Sequence, residues 1–271
     1  MKTLIVIPAR FGSTRLPGKP LVMIGGQSML SRVVQLCQEA ASGLKDVSIV
    51  VATDDRRIGE HCDLLGVEWQ MTAKEARSGT DRVAEVVRSR ADSDDFILNM
   101  QGDAPLTPPD FLRAMMDTFA EHPTDAVTPV VQLSWDELDT LRENKRTTPF
   151  SGTTAVFDVT GRALWFSKTI IPAIREEAAL REASSMSPVF RHIGLYGFAR
   201  KTLLEYVNLP ESPYEKLEGL EQLRLLENCY TLRCVPVDYK GRPGMSGVDS
   251  PDDVQRAQAL LQSASVRKEN S

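Results

Sequence analysis

The chain has 271 residues, 42% apolar and 25% charged, the profile of a globular protein with a sizeable core rather than a fibrous or disordered one. Thirty-two Lys and Arg against 37 Asp and Glu give a formal charge of −5, so nucleic acid and anionic membranes are not attracted overall and anionic ligands must be met locally. The four cysteines form no C-x-x-C pair and the three histidines are too dispersed for a nitrogen and sulfur metal cage, so a reduced, cytoplasmic protein is expected.

The apolar run that opens the chain stops at Pro8, too early for a signal-peptide core or a membrane span. Continuous apolar runs at Thr3 to Ile7, Val47 to Thr53 and Phe96 to Met100 predict buried parallel strands, since strands covered on both faces show no polar alternation. Apolar residues at helical spacing predict helices over Met29 to Ala41, Arg57 to Leu65 and Thr80 to Arg90. Thr107 reads as the N-cap of a further helix entered through proline. Ser250 reads as that of a last helix, with Val254, Ala257, Leu260 and Leu261 facing inward.

From about Asp125, strand-like segments dominate: Ala126 to Val131, Thr153 to Val159, Ala163 to Ser167, Phe190 to Phe198 and Tyr230 to Val237. Arg175 to Pro188 is charged and lacks a strand period, so a loop or short exposed helix is expected there, as a candidate mobile segment. Ser263 to Ser271 is polar and expected to fray. Together these elements predict one α/β domain with a mainly parallel central sheet flanked by helices over residues 1–124. A smaller mixed or antiparallel lobe follows over 125–240, then a returning loop and C-terminal helix over 241–262.

Open parallel sheets bind ligands beyond the carboxyl ends of their strands. The loop after the first strand runs Pro8-Ala9-Arg10-Phe11-Gly12-Ser13-Thr14-Arg15-Leu16-Pro17-Gly18-Lys19 and suits a polyphosphate. Glycines let backbone N–H groups approach an anion, and Arg10, Arg15 and Lys19 neutralise charge building on a leaving pyrophosphate. A basic surface turn is the plainer alternative. The loop is not of the Walker type, because five residues separate Gly12 from Gly18 and Pro20 follows Lys19; it also lacks G-x-G-x-x-G. After the third run, Asp103 in Gln101-Gly102-Asp103 is placed as a Mg²⁺ ligand, and Asp249, just ahead of the last helix, is the second acid recruited. Each acid alone reads equally well as a turn residue or a helix-dipole charge, so the pairing depends on the fold bringing them together. Asp54 and Asp55 read as caps of the helix that follows.

The blocks IPARFGSTRLPGKPL (7–21), VATDD (51–55), SGTDR (78–82), NMQGDAP (99–105), ALWFSKTIIP (163–172), RHIGLYGF (191–198), LEQLR (220–224) and SGVDSPDDV (246–254) together resemble one family over nearly the whole chain. That family is the 3-deoxy-D-manno-octulosonate cytidylyltransferases, or CMP-Kdo synthetases. The resemblance implies a nucleotide-diphospho-sugar transferase-like fold whose second lobe binds the sugar acid and dimerises. It implies a Mg²⁺-dependent reaction that joins CTP to the 2-hydroxyl of 3-deoxy-D-manno-octulosonate (Kdo) or a close analogue, releasing pyrophosphate and activating the sugar for lipopolysaccharide or capsule synthesis. On the same ground Pro8, Ala9, Arg10, Ser13, Arg15, Lys19, Ser78, Gly79, Arg82 and Gln101 bind CTP, Asp103 and Asp249 hold the metal, and Lys19 joins them as a catalytic residue. Arg175, His192, Tyr196, Glu221 and Gln222 hold the sugar acid, with Arg175 as bidentate partner of its carboxylate and His192 as a second donor. A homodimer is implied through the second half, where a leucine-bearing helix is expected over Leu217 to Leu226.

Three features depart from the family pattern. Ala104 stands where Glu is usual, Lys168 where Arg is common, and residues 142–151 lack an Asn-x-x-x-Val-Lys pattern. All lie on or near the acceptor side and leave the CTP side intact. A sialic-acid-type acceptor and a non-catalytic CTP-binding paralogue therefore stay open as alternatives.

Overall fold

A computed structural model describes residues 1–90, 94–245 and 247–269. Strand β1 (Thr3–Ala9) leads through the cationic loop and a 3-10 turn at Lys19–Leu21 to a small hairpin, β2 (Met23–Ile24) and β3 (Gln27–Ser28). Helix α1 (Met29–Ala41) follows, capped where Ser28 Oγ accepts the Ser31 amide at 3.0 Å. Then come β4 (Val47–Thr53), α2 (Arg56–Leu65), β5 (Glu68–Met71), α3 (Gly79–Ser89), β6 (Phe96–Asn99) and α4 (Pro109–Glu121). Strands β5, β4, β1 and β6 pair in parallel in that order. Ile5 and Ile7 pack with side chains of α1 and α4, while Leu4 and Val6 pack with Val83, Val86 and Val87 of α3. Coverage of both faces explains why β1 carries no polar alternation.

The second half contains β7 (Ala126–Ser134), α5 (Trp135–Thr147), β8 (Thr154–Phe157), β9 (Ala163–Ser167), α6 (Glu177–Ala183), β10 (Met186–His192) and β11 (Tyr196–Ala199). It ends with α7 (Arg200–Tyr206), α8 (Pro213–Glu218), α9 (Leu223–Glu227), β12 (Leu232–Val237) and α10 (Pro251–Glu269). Here the pairings β6 with β11, β11 with β7, β7 with β10, β10 with β8 and β8 with β9 are antiparallel, and β12 runs parallel to β7. These strands extend the parallel sheet, so the sheet carries its crevice from the strand ends of β1 and β6 onto β10 and β11. No helix among the described residues is long and apolar enough to cross a membrane.

Several local expectations need correction. Phe190 to Phe198 forms two strands, because the facing residue of β7 is Pro129, which accepts from the Ile193 amide at 3.0 Å but has no N–H to return. The ladder stops there, and Leu195 N–H turns back onto Ile193 O at 2.7 Å. The leucine-bearing helix is likewise two short helices, since Gly219 at φ 63° ends α8 in the left-handed region and turns Glu221 and Gln222 out of helical register. Thr107 is not a cap. Helix α4 starts one residue later than expected, with Pro108 at the N-cap, and Asp110 is drawn to Lys240 and Arg242 at 3.0 and 2.8 Å. Ser250 does cap α10, accepting the Asp253 amide at 3.3 Å. That helix continues through Glu269 where fraying was expected, and Asn270 and Ser271 lie outside the described residues.

The Arg175 to Pro188 segment contains α6 and the start of β10. Helix α6 is fastened to α5 by Arg142 on Glu177 at 2.7 Å and by Arg181 on Asp139 at 2.7 Å.

One glycine sets the distance between β1 and the loop after β6. A Cβ on Gly102 would lie 2.4 Å from Pro8 O, a backbone atom that cannot step aside. Gly102→Ala should therefore cost about 1–3 kcal/mol of stability, read as a lower denaturant midpoint at constant slope. An unchanged midpoint would mean the two loops are not in close contact.

Candidate active site

The cationic loop is shaped by its own hydrogen bonds. Phe11 O accepts the amides of Ser13 and Gly18 at 3.0 and 3.2 Å, and Ser13 Oγ accepts that of Leu16 at 3.3 Å. Gly18, at φ 65°, supplies the left-handed residue that starts the 3-10 turn, and its missing side chain leaves room for the Phe11 ring. Arg57 stacks on the outside of that ring, 3.5 Å from its centroid.

This turn aims Lys19 inward. Its ammonium donates to Asp103 Oδ2 at 2.6 Å and to Asp249 Oδ1 at 2.7 Å, while Arg15 approaches Asp249 at 3.2 Å. The loops carrying the two acids are also joined through the backbone, where Val248 N–H donates to Asp103 O at 2.8 Å. Asp253, in the first turn of α10, accepts the amides of Asp249 and Ser250 at 3.1 Å each and so fixes the second loop. Two carboxylates on one cation match the habit of Mg²⁺, which takes one or two protein carboxylates and completes its shell with water and phosphate oxygens. Among the described residues no cluster of three or more His, Cys, Asp or Glu forms an alternative all-protein cage.

Around this ion pair is a cavity of about 360 Å³ bordered by Pro8, Ala9, Arg10, Ser13, Arg15, Lys19, Ser78, Gly79, Arg82, Gln101, Asp103 and Asp249. Ser78 caps α3 by accepting the Asp81 amide at 3.0 Å, which puts a helix N-terminus on the cavity wall. Arg82 is buried and paired on one side with Asp54 at 3.1 Å and on another with the Thr72 hydroxyl. Asp54 also accepts the Phe11 amide at 3.1 Å, so one carboxylate holds both the cationic loop and the arginine of the opposite wall.

A second cavity, bordered by Gln101, Asp103, Ala104, Arg191, His192 and Asp249, adjoins the first through shared residues. A third, bordered by Lys168, Arg191, His192, Tyr196, Glu221 and Gln222, continues it past the break between β10 and β11. Tyr196 donates to Gln222 Oε1 at 2.9 Å, leaving the buried Gln222 Nε2 without a protein partner. Glu221 accepts from Thr80 Oγ1 at 3.2 Å, and burial raises its carboxyl above the ordinary range. Burial also lowers the Lys168 ammonium. His192 is pushed down to about 3 by burial, with Lys168 adding to the effect, so it is neutral at physiological pH.

A family model described as cytidylyltransferase matches residues 4–232. The chain belongs to the cytidylyltransferase family. Its relatives include the 3-deoxy-manno-octulosonate cytidylyltransferase of Maricaulis maris, 41% identical over 262 residues that cover 96% of this chain and 97% of that one. The enzyme of the same name from Syntrophotalea carbinolica is 42% identical over 269 residues, covering 96% and 99%. The solved structure of CMP:2-keto-3-deoxy-manno-octonic acid synthetase complexed with CTP matches with a TM-score of 0.80 at 33% identity, over 97% of this chain and 100% of that one.

In this cytidylyltransferase every residue expected on the CTP side, and both aspartates, border one cavity. Four of the five residues expected on the acceptor side border another. Arg175 does not join them. Ile174, beside it, packs on the cluster of Leu133, Trp135, Leu138 and Val189, and Arg175 itself is exposed. The cations that do border the acceptor cavity are Arg191 and Lys168, and neither forms an ion pair among the described residues. Asp54 was also missed, although it follows a parallel strand where ligands gather. The helix start after it offered a sufficient explanation, and its neighbour Asp55 is the residue that caps, accepting the Arg57 amide at 3.0 Å.

Asp54→Ala removes a charged hydrogen-bond acceptor from both walls. It should raise the CTP KM by about tenfold or more and leave the acceptor KM within about twofold. Equal changes in both constants would remove Asp54 from the nucleotide side.

Proposed function

We propose that the enzyme transfers the cytidylyl group of CTP to the 2-hydroxyl of Kdo, forming CMP-Kdo and pyrophosphate, with Mg²⁺ held by Asp103 and Asp249. The observation that carries this reading is the convergence of Lys19, Asp103 and Asp249 on a cavity that adjoins a second, cation-bearing one. The names of the relatives supply the nucleotide and the sugar acid.

In the reaction the hydroxyl oxygen forms a bond to the α-phosphorus as the bond to the β-phosphate oxygen breaks, and the hydroxyl proton passes to solvent. Such a transfer asks the protein mainly for positioning and charge neutralisation. Bound Mg²⁺ would supply charge neutralisation on the phosphate oxygens. Arg10, Arg15 and Lys19 line the cavity where the triphosphate would lie, and the N-terminus of α3 with Ser78, Gly79 and Arg82 forms the facing wall. Lys19 bridges the two acids, and with a metal ion held by them its ammonium would be available to the phosphates. On the acceptor side Arg191 and Lys168 meet the carboxylate, and Gln222 Nε2 offers a donor that the protein leaves unused.

We also infer a cytoplasmic homodimer. Cys37, Cys62, Cys229 and Cys234 are all free thiols, as a reducing compartment would keep them. Leu217 and Tyr214, one helical turn apart on α8, are 77% and 53% exposed, and Tyr214 packs on Trp165 of β9, an apolar surface that a second copy would cover.

Incubation with CTP, Mg²⁺ and pure Kdo should release one pyrophosphate per CMP-Kdo, detected by mass spectrometry. Pyrophosphate release with a sialic acid and none with Kdo would reassign the acceptor, and CTP-dependent thermal stabilisation without turnover would make the protein a binder. Asp103→Asn and Asp249→Asn should each lower turnover about a hundredfold or more. Arg191→Ala should raise the Kdo KM at least about tenfold and leave the CTP KM alone, whereas Arg175→Ala should change neither; the reverse pattern would return the carboxylate to Arg175.

A further inference from the structure

The break in the sheet opposite Pro129 leaves the carbonyls of Ile193 and Leu195 outside the ladder, and the side chain beside them on β7 is Thr128. Thr128 is fully buried. Its Oγ1 lies 2.7 Å from Leu195 O and 2.8 Å from His192 Nε2. A hydroxyl has one proton, and a carbonyl oxygen can only accept. The proton therefore belongs to the Leu195 contact, and the contact with His192 is a hydrogen bond only when the imidazole Nε2 carries the hydrogen.

We propose that Thr128 locks His192 in the Nε2–H tautomer, so that His192 turns the lone pair of Nδ1 to a hydroxyl of the sugar acid and takes no part in holding its carboxylate. This reverses the donor role expected from the family resemblance, and it rests on the acceptor reading given above. The ring is stacked edge-on to Phe166, centroids 5.0 Å apart, and tilted against Tyr196 at 5.7 Å, so it has little freedom to turn over. Its single N–H is spent inside the protein, and no described residue donates to Nδ1. The charged groups that border its two cavities are Lys168, Arg191 and Glu221 on one side and Arg15, Asp103, Asp249 and Asp253 on the other. Lys168 opposes a second positive charge on the ring, as does burial. Thr128 is thus a positioning residue: it sits behind the histidine and acts on the substrate only through it.

Long-range ¹H–¹⁵N spectra of the full chain test this directly, with the three histidines assigned by comparison with His192→Gln. His192 should show the Nε2–H tautomer and should not titrate down to about pH 5.5, well below the ordinary histidine midpoint. A Nδ1–H ring, or one that titrates near the ordinary value, overturns the proposal. Adding Kdo should move the Nδ1 resonance upfield as it gains a donor, and an unmoved resonance overturns the hydroxyl contact.

Thr128→Ser keeps the hydroxyl and should keep both KM values within about twofold. Thr128→Val removes the acceptor for Nε2–H and should raise the Kdo KM about tenfold, with the CTP KM and CTP-dependent thermal stabilisation unchanged. Equal loss on both substrates, or none, overturns it. Since the tautomer is read without substrate, a failure of the Kdo assignment and a failure of the tautomer lock appear in separate measurements.

Discussion

The geometry of the whole site depends on one ammonium group shared by two carboxylates. Lys19 is 84 residues from Asp103 and 230 from Asp249 in sequence, yet its Nζ is within hydrogen-bond distance of both. Two carboxylates held this close would repel if no cation lay between them. Lys19 relieves that repulsion in the free protein, and a metal ion bound with nucleotide is suited to do so during the reaction. The three loops are thus held together by this ammonium and by the Val248 to Asp103 backbone bond.

The sheet explains how three remote segments meet. Loops after β1 and β6 emerge from adjacent parallel strands, where a single glycine, Gly102, allows the second loop to lie on the first. The third segment returns from β12 and is stitched to the loop of Asp103 through Val248 before α10 begins. On the acceptor side the sheet is held open. Pro129 interrupts the ladder, the Thr128 hydroxyl donates to Leu195 O, and the gap places His192 on the border of both the second and the third cavity. The region that departs from the family pattern has its own support: the Lys145 ammonium donates to the carbonyls of Ser151, Gly152 and Lys168, and Glu218 accepts the Lys168 amide and the Ser167 hydroxyl at 2.8 Å each.

The parallel half was legible in the sequence because burial on both faces writes an unbroken apolar run, and the ends of those runs pointed to the cationic loop and to Asp103. Asp249 was legible only as a candidate, since its partner lies far away in the chain. The break between β10 and β11 could not be read from Phe190 to Phe198, because its cause is a proline on a different strand. Glu221 and Gln222 were expected on a helix because the leucine spacing is helical, while Gly219, which ends it, carries no periodic signal. Arg175 shows the limit of resemblance. The motif placed it at the acceptor, whereas the structure shows it exposed and the cations bordering the cavity are Arg191 and Lys168.

The shared-cation account is tested most directly by the affinity of Mn²⁺, followed by electron paramagnetic resonance, for the enzyme saturated with a non-hydrolysable CTP analogue. If Asp103 and Asp249 together hold the ion, replacing either by Asn weakens Mn²⁺ binding at least about tenfold, and Lys19→Met leaves the ion bound. Mn²⁺ affinity that is the same in the wild type and in both Asn variants would contradict it.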